Sequence, residues 1–301
     1  MSVNNTKPSR RQFLGTAGLV GAGAVLASCA PATAATPGKA NLDAAIANFA
    51  LNLEYLEAAF YLAAVGRLAE LPGGSAQIIL PAGMDGRTAA PFGPAVAAYA
   101  QDIAQDELNH VLFLRKVLGA NAVDRPVLDI GPAFAAAANA AAKGAGLATP
   151  LSPAFNPYLN DLFFLHGAFI FEDVGVTAYK GAARLITDDS AGGILESAAG
   201  ILAVEGYHAG EVRTQLYAQK DVVTPYGVTV AQLIGAISAL RASVGGGKDQ
   251  GIVMDGKANI VPTDENSVAF SRTTAEVLPI VYLGGAGKGG FFPNGLNGAI
   301  K

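Results

Sequence analysis

The feature that most restricts how this chain can fold is a repeated set of glutamate, tyrosine and histidine residues at helical spacing. In each half, a glutamate is followed seven residues later by a tyrosine, as Glu54 and Tyr61 and as Glu172 and Tyr179. Seven residues make nearly two helical turns, so each pair shares one helix face. Each half then continues with a Glu-x-x-His motif, which places a carboxylate and an imidazole one turn apart. The chain therefore contains two copies of one helical pair.

Apolar residues at spacings of three and four predict four long helices, over about 41–70, 94–118, 158–187 and 190–219. The middle two are joined by a long, proline-containing crossover that has room for a short helix, and the other links are shorter. A turn of Thr, Asp and Ser residues before the fourth helix suits an N-cap. One long link flanked by shorter ones is the connectivity of ferritin-like bundles. We therefore expect an all-α fold, a ferritin-like antiparallel four-helix bundle with one long crossover.

The motifs also predict a metal centre inside this bundle. One glutamate from each of two helices plus Glu-x-x-His from each of the other two is the ligand set of di-iron and di-manganese bundles. The predicted ligands are Glu54, Glu107, His110, Glu172, Glu205 and His208. The alternative is a set of solvated helix faces, but apolar neighbours such as Leu53, Phe171 and Val204 make unpaired carboxylates costly there. Carboxylate and imidazole ligands favour two Fe or Mn ions and leave zinc open.

Four further acidic residues lie close to these motifs. Glu57 and Glu211 each follow a predicted ligand by one turn, and each is either an additional carboxylate of the site or an exposed side chain. Asp106 and Asp173 are candidates to orient a ligand histidine through a hydrogen bond to its second nitrogen.

Three further polar side chains share helices with the predicted ligands. Tyr61 and Tyr179 are expected to hydrogen-bond the ligand carboxylates or histidines, with a redox relay as the alternative role. His166 precedes Glu172 by six residues, about 120° around the helix, so we expect a core or rim histidine instead of a ligand.

Residues 1–28 have the features of a twin-arginine export signal. Arg10 and Arg11 precede an apolar run that is too short for the roughly 20 residues of a membrane-spanning helix. Leu26-Ala27-Ser28-Cys29 resembles the lipobox of bacterial lipoproteins, whereas cleavage after Ala32-Thr33-Ala34 would remove Cys29. We expect export to the periplasm or cell envelope, with a lipid anchor at Cys29 as the only membrane attachment.

The rest of the chain divides into three parts. Residues 29–40 are predicted to be a flexible tether and residues 41–220 the bundle. Residues 221–301 contain one helical segment near 228–244 and otherwise irregular, glycine-rich sequence. Because this last part has too few apolar residues for a core of its own, we expect an extension that packs on the bundle.

Charge and cysteine content exclude two classes of protein. The formal net charge is −4, and no basic stripe or aromatic-basic pattern occurs, so a nucleic-acid partner is not expected. The single cysteine cannot form a disulfide within the chain, so stability must come from the core, with a bound metal as an optional further source.

Four segments together resemble the desiccation-related ferritin-like family. They are residues 52–57, 171–181, 200–210 and 289–298, and the similarity extends over about 41–300. The last segment lies in the C-terminal extension, which makes the resemblance more specific than a shared bundle. The resemblance implies the ferritin-like fold and the same six ligands, and it links the chain to dehydration stress without defining an activity.

Two functions fit these observations. In the first, an Fe or Mn pair reacts with O2 or peroxide, as a ferroxidase, a peroxidase or a manganese-catalase-like enzyme, and protects the envelope. In the second, a lipid-tethered structural protein uses metal only to stabilise its bundle. The sequence leaves oligomerisation open, although a tethered subunit with a long C-terminal extension is ill-suited to closed cages of about 24 subunits.

Overall fold

The computed structural model describes residues 41–301; the predicted export signal, the predicted tether and Cys29 lie outside the described residues. The described part contains seven α-helices: α1 Asp43–Ala64, α2 Pro94–Leu118, α3 Pro132–Gly144, α4 Asp161–Ala183, α5 Ile194–Ala218, α6 Val230–Val244 and α7 Thr274–Val281. Helices α1, α2, α4 and α5 are the four predicted bundle helices. The all-α bundle with one long crossover is therefore confirmed.

Helix α1 is shorter than the apolar pattern predicted. It ends at Ala64, and Gly66 follows in the left-handed region with φ of +75°. A Cβ atom at Gly66 would lie 2.8 Å from the Arg87 carbonyl oxygen, so the chain turns where only glycine fits. The rest of the predicted helix contains a separate short 3-10 helix, Leu68–Glu70.

Polar side chains determine where α4 and α5 begin. The Asn160 side chain accepts a hydrogen bond from the Phe163 amide at 2.9 Å. Asn160 is therefore the N-cap of α4, and the helix begins at Asp161 instead of at the predicted residue 158. The cap position of α5 is Gly193, which offers no side chain. An aspartate still caps the helix, although it does not occupy the cap position. Asp188 Oδ2 accepts a hydrogen bond from the Ile194 amide at 3.2 Å.

The contacts between helices give the bundle its antiparallel arrangement. Near the start of α1, the Asn48 side chain donates to the carbonyl oxygen of Asn121, just beyond the end of α2, at 2.9 Å. Between α1 and α4, the Asp43 side chain at the start of one helix accepts from Thr187 beyond the end of the other. Helices α1 and α2 pack extensively on each other, as do α4 and α5.

The crossover contains α3 and a short parallel pair of strands, β1 Ile78–Ile79 and β2 Leu128–Asp129. Helix α3 begins at Pro132 and packs against α6. Its Phe134 is fully buried, with its ring centroid 5.2 Å from that of Phe60 and 5.4 Å from that of Phe171. The crossover thus covers one side of the bundle, as a connection between its two halves must.

The C-terminal extension packs on the bundle through both apolar and polar contacts. It contains α6, α7 and an antiparallel pair of two-residue strands, β3 Val253–Met254 and β4 Lys257–Ala258. Phe291 is fully buried against Phe134 and Phe171. Asn52 of α1 and Asn297 exchange two hydrogen bonds, of 2.9 and 3.0 Å.

Among the described helices, α4 alone is long and apolar enough to cross a membrane. In this fold 83% of its apolar stretch is buried inside the protein. Its composition is therefore that of a core helix.

Candidate metal centre

The structure brings all six predicted ligand residues together in the middle of the bundle. They come from α1, α2, α4 and α5, and none is more than 8% exposed. Ligand atoms of Glu54, Glu107, His110 and Glu205 all lie within 4.8 Å of one another. Glu172 and His208 adjoin this group, with Glu172 Oε2 3.5 Å from His208 Nδ1. The helical spacing of the two motifs is what places these side chains on inward faces.

Glu107 occupies the centre of the cluster. Its Oε2 lies 3.5 Å from Nδ1 of His110, and its Oε1 lies 3.1 Å from Nδ1 of His208. Each histidine has a second carboxylate neighbour, which for His110 is Glu54 Oε2 at 3.2 Å and for His208 is Glu172. One carboxylate between two histidine-carboxylate pairs is an arrangement that fits a pair of metal ions with a bridging glutamate.

The two tyrosines connect the repeats crosswise. The Tyr61 hydroxyl donates to Glu172 Oε1, and the Tyr179 hydroxyl donates to Glu54 Oε1. Both rings are buried, and burial together with the nearby carboxylates raises the pKa of each hydroxyl well above its usual value. Both tyrosines are therefore neutral donors that fix the orientation of the two carboxylates, as the sequence predicted.

The two aspartates differ from each other. Asp106 Oδ2 lies 3.2 Å from Nε2 of His208, so it contacts the ring nitrogen opposite the one that faces the cluster. The expectation for Asp173 is wrong, because its Oδ2 accepts from Arg213 and Arg241, at 2.8 Å in each case. Arg213 lies on α5 and Arg241 on α6, so Asp173 connects the bundle to the C-terminal extension instead of orienting a histidine.

Glu211 and His166 lie outside the cluster. Glu211 is half-buried and accepts a hydrogen bond from Gln215 on its own helix. His166 is fully buried, and its Nδ1 lies 2.7 Å from the Leu162 carbonyl oxygen. Burial lowers the pKa of His166 to about 4, so it is a neutral core residue at neutral pH.

Glu57 is a buried carboxylate beside the cluster. It is 6% exposed, and burial raises its pKa well above the usual value, with the charges of Glu107, Glu172 and Glu54 adding to the effect. The corresponding position in the other half is Gly175, which was not predicted to matter. A Cβ atom there would lie 2.0 Å from Glu205 Oε2, so Gly175 provides the space that the Glu205 carboxylate occupies.

Burial and the neighbouring charges together determine the protonation states in the cluster. Burial alone would lower the pKa values of both histidines, but the carboxylates around them raise that of His110 to about 11 and that of His208 to about 12. Burial raises the pKa of Glu54 to about 7 and that of Glu205 well above its usual value. Without metal, two protonated imidazoles therefore supply the positive charge that the carboxylates need.

Several ligand atoms make no hydrogen bond within the described residues. They include both carboxylate oxygens of Glu107 and Glu205, Oε2 of Glu172 and Nδ1 of His208. Glu107 and His208 still make the ion-pair contacts given above, whereas neither a hydrogen bond nor an ion pair reaches the Glu205 oxygens within the described residues, and burial in that condition is costly. Two metal ions would satisfy them, so this donor set fits a di-metal group.

Comparisons with known proteins identify the family whose sequences this chain resembles. The sequence profile of the Ferritin-like domain family matches residues 42–218. The chain is 31% identical over 288 residues to the ferritin-like catalase Nec2 of Nesocodon mauritianus, which covers 91% of this chain and 89% of that protein. It is 32% identical over 253 residues to the desiccation-related protein PCC13-62 of Craterostigma plantagineum, which covers 78% and 76%. No solved structure matches the chain.

Proposed function

Because the chain belongs to the ferritin-like domain family, we propose that its buried cluster holds two Fe or Mn ions and handles oxidants, either dioxygen or peroxide. The observation that supports this most directly is the set of converging buried ligand atoms without hydrogen bonds. The relatives named as a catalase and as a desiccation-related protein fit a role in stress. A pair of such ions would supply reversible one- or two-electron chemistry at a site from which bulk water is excluded.

The residues of the cluster have different roles in this proposal. His110 with Glu54 would hold one metal ion, and His208 with Glu172 would hold the other. Glu107, which lies between the two histidines, and Glu205 would supply the remaining carboxylates. Tyr61, Tyr179 and Asp106 keep the ligands oriented, and Glu57 adds a fifth buried carboxylate whose proton can leave when metal enters.

Metal titration of three histidine variants tests the ligand assignment. Fe(II) or Mn(II) is added anaerobically to His110→Ala, His208→Ala and His166→Ala. We expect the first two to retain about one metal each and the third to retain both, because His166 lies outside the cluster. Loss of metal in His166→Ala, with full occupancy in the other two, would show that the assignment is wrong.

Elemental analysis of protein from its native compartment identifies the metal. Stoichiometric Fe would support ferroxidase or peroxidase chemistry, and stoichiometric Mn would support peroxide disproportionation. A preparation with neither metal would refute the oxidant-handling function.

The alternative function is non-enzymatic, with metal only stabilising the bundle of a tethered stress-protective protein. The extensive packing of the C-terminal extension favours it. Thermal unfolding of the parent and of Glu107→Ala, each with and without added Fe or Mn, tests this function. A stabilising role requires metal to raise the melting temperature of the parent and not that of the variant, and equal stability under all four conditions would exclude it.

We further propose that the protein is exported by the twin-arginine route and anchored through a lipid at Cys29. The Arg10-Arg11 pair and the lipobox support this proposal. Cell fractionation of an Arg10→Lys, Arg11→Lys double variant should find the protein retained in the cytoplasm. Cys29→Ala should release an exported protein from the membrane fraction, and unchanged membrane association would contradict the lipid anchor.

A further inference from the structure

An apolar chamber lies next to one of the two proposed metal positions, that of Glu54 and His110. It has a volume of about 40 Å3 and lies between the four bundle helices. Each helix contributes a residue one turn or less from the cluster. Ala50 precedes Glu54 by one turn, Leu114 follows His110 by one turn, Ile201 precedes Glu205 by one turn, and the Tyr179 ring bonds Glu54 through its hydroxyl. The chamber therefore adjoins the position of Glu54 and His110.

The internal repeat shows a difference between the two positions at one place that lines the chamber. Ile46 and Phe164 stand at equivalent places, each eight residues before the first glutamate of its half. The Phe164 ring packs on Tyr61 and Phe60, with centroids 5.8 and 5.4 Å apart, and fills the space beside the Glu172 position. Ile46 is smaller, lines the chamber and leaves that space open.

The lining determines what the chamber can bind. Apart from Ser197 and the Tyr179 hydroxyl, which is already bonded to Glu54, the lining side chains are hydrocarbon. Such a lining offers water few hydrogen bonds, apolar cavities take up apolar guests such as xenon, and a volume above roughly 10–15 Å3 admits a molecule as small as water. Peroxide would lose its hydrogen bonds to water on entry, whereas dioxygen has none to lose.

The chamber also reaches the protein surface. Phe113 and Val117 of α2 line it and are 37% and 44% exposed. A small apolar molecule could therefore pass from solvent to the metal position of Glu54 and His110 without meeting a charged side chain among the lining residues.

We propose that this chamber binds dioxygen and delivers it to the metal position of Glu54 and His110. The proposal rests on the oxidant-handling function and deepens it, because it names dioxygen as the small molecule that the site admits through an apolar route.

Xenon binding tests the chamber without metal or activity. Crystals of the metal-free parent under xenon pressure should show a xenon atom among Ala50, Leu114 and Ile201. Two variants fill the chamber, Ile46→Phe, which copies the other half of the repeat, and Ala198→Leu, which serves if the first does not fold. Both should lose the xenon site. Leu112→Phe is the control, because Leu112 is 49% exposed beside the chamber and does not line it.

The reaction with oxidants tests dioxygen as the occupant. In the reduced, metal-loaded protein, each filling variant should react with dioxygen about tenfold more slowly than the parent. Tenfold is the low end of the effect that one extra or missing methylene group has on the reaction rate in an apolar pocket. The rate with hydrogen peroxide and the metal content should be unchanged, and Leu112→Phe should match the parent in both.

The proposal is overturned by the absence of xenon from the parent chamber, by unchanged dioxygen rates in the filling variants, or by equal slowing of dioxygen and peroxide. A parent that binds metal and does not react with dioxygen also overturns it. A parent that binds neither Fe nor Mn refutes the proposed function instead, and the xenon result alone then decides whether the chamber is a site for apolar gases.

Discussion

The absence of a side chain at Gly175 leaves room for the Glu205 carboxylate in the cluster. Alanine there would place Cβ 2.0 Å from Glu205 Oε2, and the flexible end of the Glu205 side chain would move away. We predict that Gly175→Ala weakens metal binding by about tenfold to a hundredfold, as other changes to the support of a metal ligand do. Folding should be little affected, since only a side-chain end must move. Anaerobic Fe(II) titration measures the affinity.

Gly206 provides the matched control for Gly175. It follows Glu205 on α5, and a Cβ atom there would meet nothing within 4 Å. Gly206→Ala should keep the parent's metal affinity and gain roughly 1 kcal/mol of stability from helix propensity. Equal metal affinities in the two alanine variants would contradict the role of Gly175.

The free energy of unfolding should depend on pH through His166, which lies outside the candidate metal centre. Its pKa falls from about 6.5 in the unfolded chain to about 4 in the fold, because burial disfavours its charged form. The unfolded chain therefore binds a proton that the folded chain does not, and stability decreases as pH falls from about 6.5 to 4. The maximum loss is about 3 kcal/mol.

The variant His166→Leu should lose less stability than the parent between pH 7 and pH 4.5. Urea unfolding of the metal-free proteins at both pH values measures the difference, and titration of the carboxylates, which both proteins share, cancels in the comparison. The same decrease in parent and variant would mean that His166 is protonated in the folded state.

At the residue scale, the clustering of the six candidate ligands could be predicted because the motif repeats at fixed helical spacing. Glu57 could not be assigned, because a residue one turn beyond a ligand points either into the bundle or out of it depending on helix rotation. Gly175 carried no signal, since its role depends on the distance between α4 and α5. Asp173 was misassigned because the arginines that bind it, Arg213 and Arg241, are far away in sequence.

At the element scale, the helices were predictable from apolar periodicity, and their ends were less so. The end of α1 depends on the close approach of Gly66 to the backbone at Arg87, a contact between loops. The pairing of β1 with β2 joins segments about fifty residues apart and rests on two residues in each strand, which leaves no periodic pattern. Local sequence thus predicts elements, and tertiary contacts decide their limits.

Helices α4, α5 and α6 and the segment before α7 are held together by a buried ion cluster. Its members are Asp173, Arg213, Arg241, Asp249 and Arg272, and Arg241 contacts both aspartates, at 2.8 and 2.6 Å. Buried charges that lose a partner are costly. We predict that Arg241→Leu reduces the free energy of unfolding by about 3–5 kcal/mol, measured by urea denaturation.

Arg67 is the control for Arg241, because its ion pair with Glu70 lies at the surface. Arg67→Leu should change the free energy of unfolding by about 1 kcal/mol or less. Similar losses in the two variants would mean that the buried cluster contributes no more than a surface ion pair.

At the scale of the whole molecule, the bundle and the C-terminal extension share one core. Phe291 of the extension is fully buried between Phe134 of the crossover and Phe171, the neighbour of the proposed ligand Glu172. A core that includes residues from all three parts should unfold cooperatively, because no part can leave without exposing the aromatic rings of the others.

We predict that Phe291→Ala lowers the free energy of unfolding by about 3–5 kcal/mol, the cost of removing a buried phenylalanine side chain. The transition should remain single, with the same midpoint whether it is followed by far-ultraviolet circular dichroism or by proteolysis of the extension. Val261→Ala is the control, since Val261 is 67% exposed in the same extension and should stay within about 0.5 kcal/mol of the parent. If the extension of Phe291→Ala became protease-sensitive while the helical signal persisted, the extension would be a separable attachment. The bundle would then hold its candidate metal centre without the extension.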